Sequence, residues 1–294
     1  MRWAIITFFI ALSTFAQERP IFVKFDKSQT SEYEEKFRQI EDTSLSELEA
    51  INKKIKLATA YKHFDDLIDA LEEKIEVVET AELRYYLGGI NGIKALSVYR
   101  LFALPYVRSM LINFKRAIAL DPNYTPAIEA YIESLCLVPS IIGGDIRKAK
   151  ELSNKLLQLN TVEGYFSKGF IAKSLGEKEA AKTAYSKAFI VLDELGFCSE
   201  NKRTFFKNKS LNFSFKIAEV SAYFGLYPTI GLCAIDYFIE QKSYLYNIPL
   251  EWAYYRKAQL HFILGNKEQG RKSLDEALSI NTSFLPAQQL KKTI

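Results

Sequence analysis

Apolar positions recur along most of this chain at the spacing of an amphipathic helix, and the runs are cut by short polar breaks. The stretch "FKRAIALDPNYTP" at 114–126 shows the pattern. "FKRAIAL" reads as the last two turns of a helix, "DPN" stops it, and "TPAIEAYIESL" opens another. Pro105, Pro122, Pro126, Pro139, Pro228, Pro249 and Pro286 all fall between helical runs or in their first turns. A missing backbone N–H costs least at those places. Sustained alternation of period two is confined to "PIFVKF" at 20–25. The pattern predicts an all-α protein.

Two segments repeat one another. "VEGYFSKGFIAKSLGEKEAAKTAYSKAFIVLDEL" spans 162–195, and "EWAYYRKAQLHFILGNKEQGRKSLDEALSINTSF" spans 251–284. Each has a first helix with a small residue (Gly169; Ala258) running into Leu-Gly, at Leu175-Gly176 and Leu264-Gly265. A polar turn follows, then a second helix with small, large and small residues at Ala181, Tyr185, Ala188 and at Gly270, Leu274, Ala277. Gly176 and Gly265 suit the left-handed conformation that ends a helix. The small residues let two antiparallel helices approach, and the large one fills the gap beside them.

On these residues the chain resembles the tetratricopeptide repeat (TPR) family, whose unit is a helical hairpin of about 34 residues, and in particular its exported bacterial members. The resemblance implies a TPR-like solenoid of roughly five antiparallel hairpins. Phe114 and Ala117, closed by Asp121-Pro122, fit the tail of another unit. Weaker matches flank the loop "VPSIIGG", where Asp145 is the expected N-cap and Ala149 the small packing residue. Hairpin rhythm also surrounds Gly225 and Pro228. The helix that begins near 81 extends past the point where family members turn. Residues 31–78 are charged and helical, either one long helix or a hairpin, with Ser44 and Glu47 as a capping box. The expected domains are a signal peptide at 1–16, a lead with a short helix at 17–43, and the repeat domain at 44–294.

The opening "MRWAIITFFIALSTFAQERP" changes the compartment. One arginine, a short apolar run and the small pair Thr14 and Ala16 make a secretory signal, with cleavage expected between Ala16 and Gln17. The uncharged stretch is shorter than the roughly 20 residues that span a bilayer, so no membrane span is expected after cleavage. Export to the periplasm is the main expectation, with secretion as the alternative. Cys136, Cys198 and Cys233 are too few, and lack the spacing, for a disulfide or metal framework. Each is expected as a small buried hydrophobe. The +4 charge is mild and its acids and bases are mixed, which argues against nucleic acid as a partner.

Candidate chemistry is sparse. His261 is expected as a packed imidazole and His63, beside Asp65 and Asp66, as solvent-facing. Neither has the companions of a catalytic triad or a metal site. The glycines at 88–92 and at 143–144 do not match a phosphate-binding fingerprint. "SENK" at 199–202 lacks companion motifs, and the basic, Phe-bearing 201–213 reads as a solvated loop. No catalytic residue, metal or cofactor is expected. The resemblance implies instead a non-catalytic protein presenting a groove to a protein or peptide partner. The alternative is a solute-handling component working beside a membrane transporter. Turning the first helices of the two clear repeats at about 100° per residue gathers Trp252, Tyr255, Gln259 and Phe262 on one arc. The same arc of the earlier repeat carries Phe166, Phe170 and Lys173. The resemblance places this arc on the inner groove; the alternative is that its aromatic residues are buried by neighbouring repeats.

Overall fold

The computed structural model describes residues 30–41, 47–61, 63–199, 205, 211–241 and 248–294. The expected signal peptide, the Ser44–Glu47 capping box, "PIFVKF", and "SENK" with most of 201–213 lie outside those residues. Among the described residues every extended regular element is an α-helix, and none is a strand. The helices fall into two compact units, one within Lys24–Glu177 and the other within Lys178–Ile294.

The first unit holds α1 (Thr30–Glu41), α2 (Glu47–Tyr61), α3 (Phe64–Val77) and α4 (Ala81–Ser97), then α5 (Ala103–Leu120), α6 (Thr125–Leu137), α7 (Ile146–Leu159) and α8 (Thr161–Ser174). Each helix packs on the next, and α4 also meets α6 while α6 meets α8. That neighbour and next-neighbour packing is what a stack of helical hairpins requires. The segment 31–78 is thus neither one helix nor a single hairpin but three helices. Tyr33, Leu67 and Leu71 from its first and third helices share a core with Leu83 and Leu87 of α4. His63 departs from expectation here. Its ring stacks on Tyr33 at 3.6 Å, so it caps an apolar cluster instead of facing solvent. Tyr33 in turn donates to Asp66 at 2.6 Å.

The glycines of this unit serve close packing. A Cβ on Gly88 would meet the Phe114 ring at 2.7 Å, and one on Gly92 the Met110 sulfur at 2.9 Å. A Cβ on Gly164 would fall 2.3 Å from the Leu157 Cα, which places the backbones of α7 and α8 in direct contact. Asp145 caps α7 as the sequence predicts, accepting from the Lys148 N–H at 2.9 Å.

The second unit holds α9 (Lys178–Glu194), α10 (Leu211–Phe224), α11 (Pro228–Glu240), α12 (Leu250–Ile263), α13 (Lys267–Ile280) and α14 (Leu285–Lys291). From α10 onward each helix packs on the next, and α10 also meets α12. The small and large packing residues behave as their spacing predicts: Ala181, Tyr185, Ala188, Leu274 and Ala277 are all buried. Gly265 ends α12 at φ +79°, and Gly176 follows α8 at φ +78°.

Two of the three cysteines depart from expectation. Cys198 and Cys233 form a disulfide, with their Cα atoms 5.6 Å apart, and it ties the turn after α9 to α11. They are 35 residues apart in sequence, and only the packing of α9 beside α11 brings them together. Cys136 remains a free, half-buried thiol whose pKa burial pushes up to about 11.

Candidate functional site

The groove residues expected on the first unit lie on α8, which opens on Asn160. The Asn160 side chain accepts from the Glu163 N–H at 3.1 Å and so fixes where the helix starts. Phe166 and Phe170, four residues apart and hence on one face, are 1% and 7% exposed. They are core residues rather than open anchors. Lys173, at the last turn of α8, is half-buried.

On the second unit the expected residues lie on α12, and they divide by depth. Trp252 is 6% exposed, whereas Tyr255, Gln259 and Phe262 are half-buried. Phe262 sits where a Cβ on Gly270 would meet its ring at 2.4 Å. Gly270 is therefore the gap on α13 that receives this ring. Trp252, Tyr255 and Phe284 form an edge-to-face aromatic trio, with Trp252–Phe284 centroids 4.9 Å apart and Tyr255–Phe284 centroids 5.7 Å apart. Such geometry holds each ring in one orientation.

A buried arginine organises the same face, and sequence reasoning did not single it out. Arg256 is 5% exposed, with its guanidinium carbon 5.7 Å from the Trp252 ring centroid and 5.5 Å from that of Tyr255. It donates to Glu219 of α10 at 3.0 Å and to Gln259 at 2.9 Å. The Gln259 amide then donates to the Tyr255 hydroxyl at 3.2 Å. Glu219, Arg256, Gln259 and Tyr255 thus form one chain of hydrogen bonds across two helices. A cation set against aromatic rings and a carboxylate is a fixed charge, so Tyr255 and Gln259 reach the surface in set positions. The Arg256–Gln259 link was legible as a spacing of three on a helix. Glu219, 37 residues away, had no local signal.

His261 of α12 is a packed imidazole, as predicted. Burial lowers its pKa, Lys257 nearby lowers it further, and Asp236 opposes the shift. Its Nδ1 is buried without a hydrogen-bond partner among the described residues. Also among the described residues, no group of three or more His, Cys, Asp or Glu is placed to hold a metal ion, and no helix is long and apolar enough to cross a membrane.

Residues 162–189 and 253–284 match the tetratricopeptide repeat family. The chain carries tetratricopeptide repeats. Both matched segments coincide with the two repeats read from spacing, and the second contains most of α12, with Tyr255, Arg256 and Gln259. A solved tetratricopeptide repeat protein from Parabacteroides merdae ATCC 43184 is similar, with 10% identity, 88% of each chain covered and a TM-score of 0.46. No curated protein matches the sequence. TPR hairpins suggest a scaffold for protein–protein interaction, and such repeats are typically non-catalytic.

Proposed function

We propose that this is an exported, non-catalytic TPR protein that presents the Tyr255–Gln259 face of α12 to a protein or peptide partner. The observation that carries the reading is the Glu219–Arg256–Gln259–Tyr255 chain within a TPR repeat. A half-exposed tyrosine held by an aromatic neighbour on one side and a hydrogen-bonded amide on the other is a pre-ordered anchor. Such anchors lose little side-chain entropy on binding and dominate interface energetics. Lys173 of α8 is a candidate contact at a second place on the chain.

Export is supported by the signal-like first 16 residues and by the Cys198–Cys233 pair, because disulfides persist chiefly in oxidising compartments. The periplasm is the proposed location. The deciding experiment recovers the native protein from the envelope fraction, sequences its N-terminus and identifies what co-purifies. The reading expects a chain beginning at Gln17 with a bound polypeptide. An intact Met1 on a cytoplasmic species would overturn export, and a bound metabolite without a polypeptide would favour solute handling beside a transporter.

A further inference from the structure

The turn between α4 and α5 exposes an apolar tip. Tyr99 is 86% exposed, Leu101 91% and Phe102 65%. A short 3-10 turn, Arg100–Phe102, leads into α5 and holds these side chains at the end of the hairpin. α4 and α5 run antiparallel, with Gly88 facing Phe114 and Gly92 facing Met110. The turn after α6 also carries exposed Ile141. The α6 turn sits beside α5, since a Cβ on Gly143 would meet Leu111 at 2.8 Å. Exposed apolar side chains of the α4–α5 turn and the α6 turn therefore both flank α5.

The charge pattern of this hairpin is one-sided. Residues 83–120 contain six cations (Arg84, Lys94, Arg100, Arg108, Lys115 and Arg116) and no acid. The rest of the chain then carries 33 cations against 35 acids, from totals of 39 and 35. Arg84 and Arg116 bind Glu79 away from the tip, and Lys94 binds Asp65. Arg100 lies within the tip, and Arg108 lies on the exposed side of α5 between Pro105 and Ile112. The packed neighbour α6 contributes Glu129 and Glu133, both half-buried.

We infer that this end of the first unit docks on an anionic lipid surface, with Tyr99, Leu101 and Phe102 entering the interface and Arg100 and Arg108 meeting lipid phosphates. A convex tip of tyrosine, leucine and phenylalanine beside arginine has the chemistry of an interfacial anchor. Such anchors enter only the headgroup and upper acyl region, so no spanning helix is needed. The excess of cations over residues 83–120 selects anionic over zwitterionic lipid, because each basic residue near such a surface adds to binding. The inference does not depend on the α12 face.

The test is flotation of the mature chain with vesicles of phosphatidylglycerol and, separately, of phosphatidylcholine. Binding is expected to phosphatidylglycerol, weakening with added salt, and not to phosphatidylcholine. Leu101→Ser with Phe102→Ser should lower binding at least about tenfold. Arg100→Gln and Arg108→Gln should each lower it about fivefold. All four side chains are exposed, so thermal midpoints should match the parent. Absence of binding to phosphatidylglycerol, or equal binding by the Leu101 and Phe102 variant, would overturn the inference. A self-association lost in that variant, without vesicle binding, would overturn it in favour of a second copy of the chain.

Discussion

Arg256 of α12 donates to Glu219 of α10 at 3.0 Å, and this pair joins two helices that are not neighbours in sequence. The guanidinium side chain is 6% exposed and the carboxylate 23%. Removing one member strands the other where water reaches it poorly. Arg256→Met should therefore cost about 2 kcal/mol, toward the lower side for buried pairs because Glu219 keeps some solvent contact. Urea unfolding of Arg256→Met, Glu219→Gln and the double variant measures it. Additive losses would show that the two residues are not coupled.

The Cys198–Cys233 disulfide closes a loop of 35 residues in sequence separation. Chain-entropy reasoning assigns a loop of that length about 3–4 kcal/mol of stabilisation. Reduction, or Cys233→Ser, should lower the thermal midpoint of the oxidised protein, while Cys136→Ser should leave the disulfide intact. Mass spectrometry before and after alkylation checks the pairing. Two free thiols at 198 and 233 in protein from its native compartment would contradict it.

Glycines should divide by what a methyl group would meet. At Gly164 it would strike the Leu157 backbone, so Gly164→Ala should cost about 2 kcal/mol or more. At Gly89, inside α4, it would meet nothing within 4 Å. Gly89→Ala should therefore add about 0.5–1 kcal/mol through helix propensity and a less flexible unfolded chain. Equilibrium unfolding of the two variants separates them. Equal effects would mean that α7 and α8 do not cross so closely.

His261 predicts a slope of stability with pH. Burial lowers its folded-state pKa below the ordinary 6.5. Above that value both folded and unfolded chains carry the neutral ring, and the full stability is present. As pH falls below it the unfolded chain takes up the proton first, so stability is lost until the folded value is passed. Glu79 acts at lower pH. The guanidinium of Arg116, with that of Arg84, holds its carboxyl at about 2, so its contribution is present above the ordinary carboxyl value and is lost as pH falls toward 2. Melting curves of the parent and His261→Gln at about pH 7.5 and about pH 5.5 isolate the histidine, and the variant should show the shallower loss.

The repeats were legible because their determinants are local. Gly176 and Gly265 end helices, Ala188 and Ala277 permit close approach, and each lies within a dozen residues of its partners in the pattern. The same locality explains the helix start at Phe64, after His63, that was not foreseen. His63 stacks on Tyr33 from another helix, and nothing next to it in sequence signals that ring. The candidate face was half legible. Helical spacing gathered Trp252, Tyr255 and Gln259, but a helix in a stack has few faces open to solvent, and spacing alone does not say which neighbour covers which ring. Phe166 and Phe170 share that arc and are core. Glu219 and the Cys198–Cys233 pair depend on contacts more than 30 residues apart, which periodicity does not encode.

The central claim is that the Tyr255–Gln259 face binds a protein or peptide. Its most direct test is titration calorimetry with the polypeptide recovered from the envelope fraction. The parent would be compared with Tyr255→Ala, Gln259→Ala and the exposed α9 control Lys187→Ala, with each variant's fold checked by its melting curve. The account predicts parent-like affinity for Lys187→Ala and a loss of about thirtyfold for Tyr255→Ala, the scale of an interface hot spot. Gln259→Ala should lose less. Unchanged affinity in folded Tyr255→Ala and Gln259→Ala would contradict it and remove this face from the binding site.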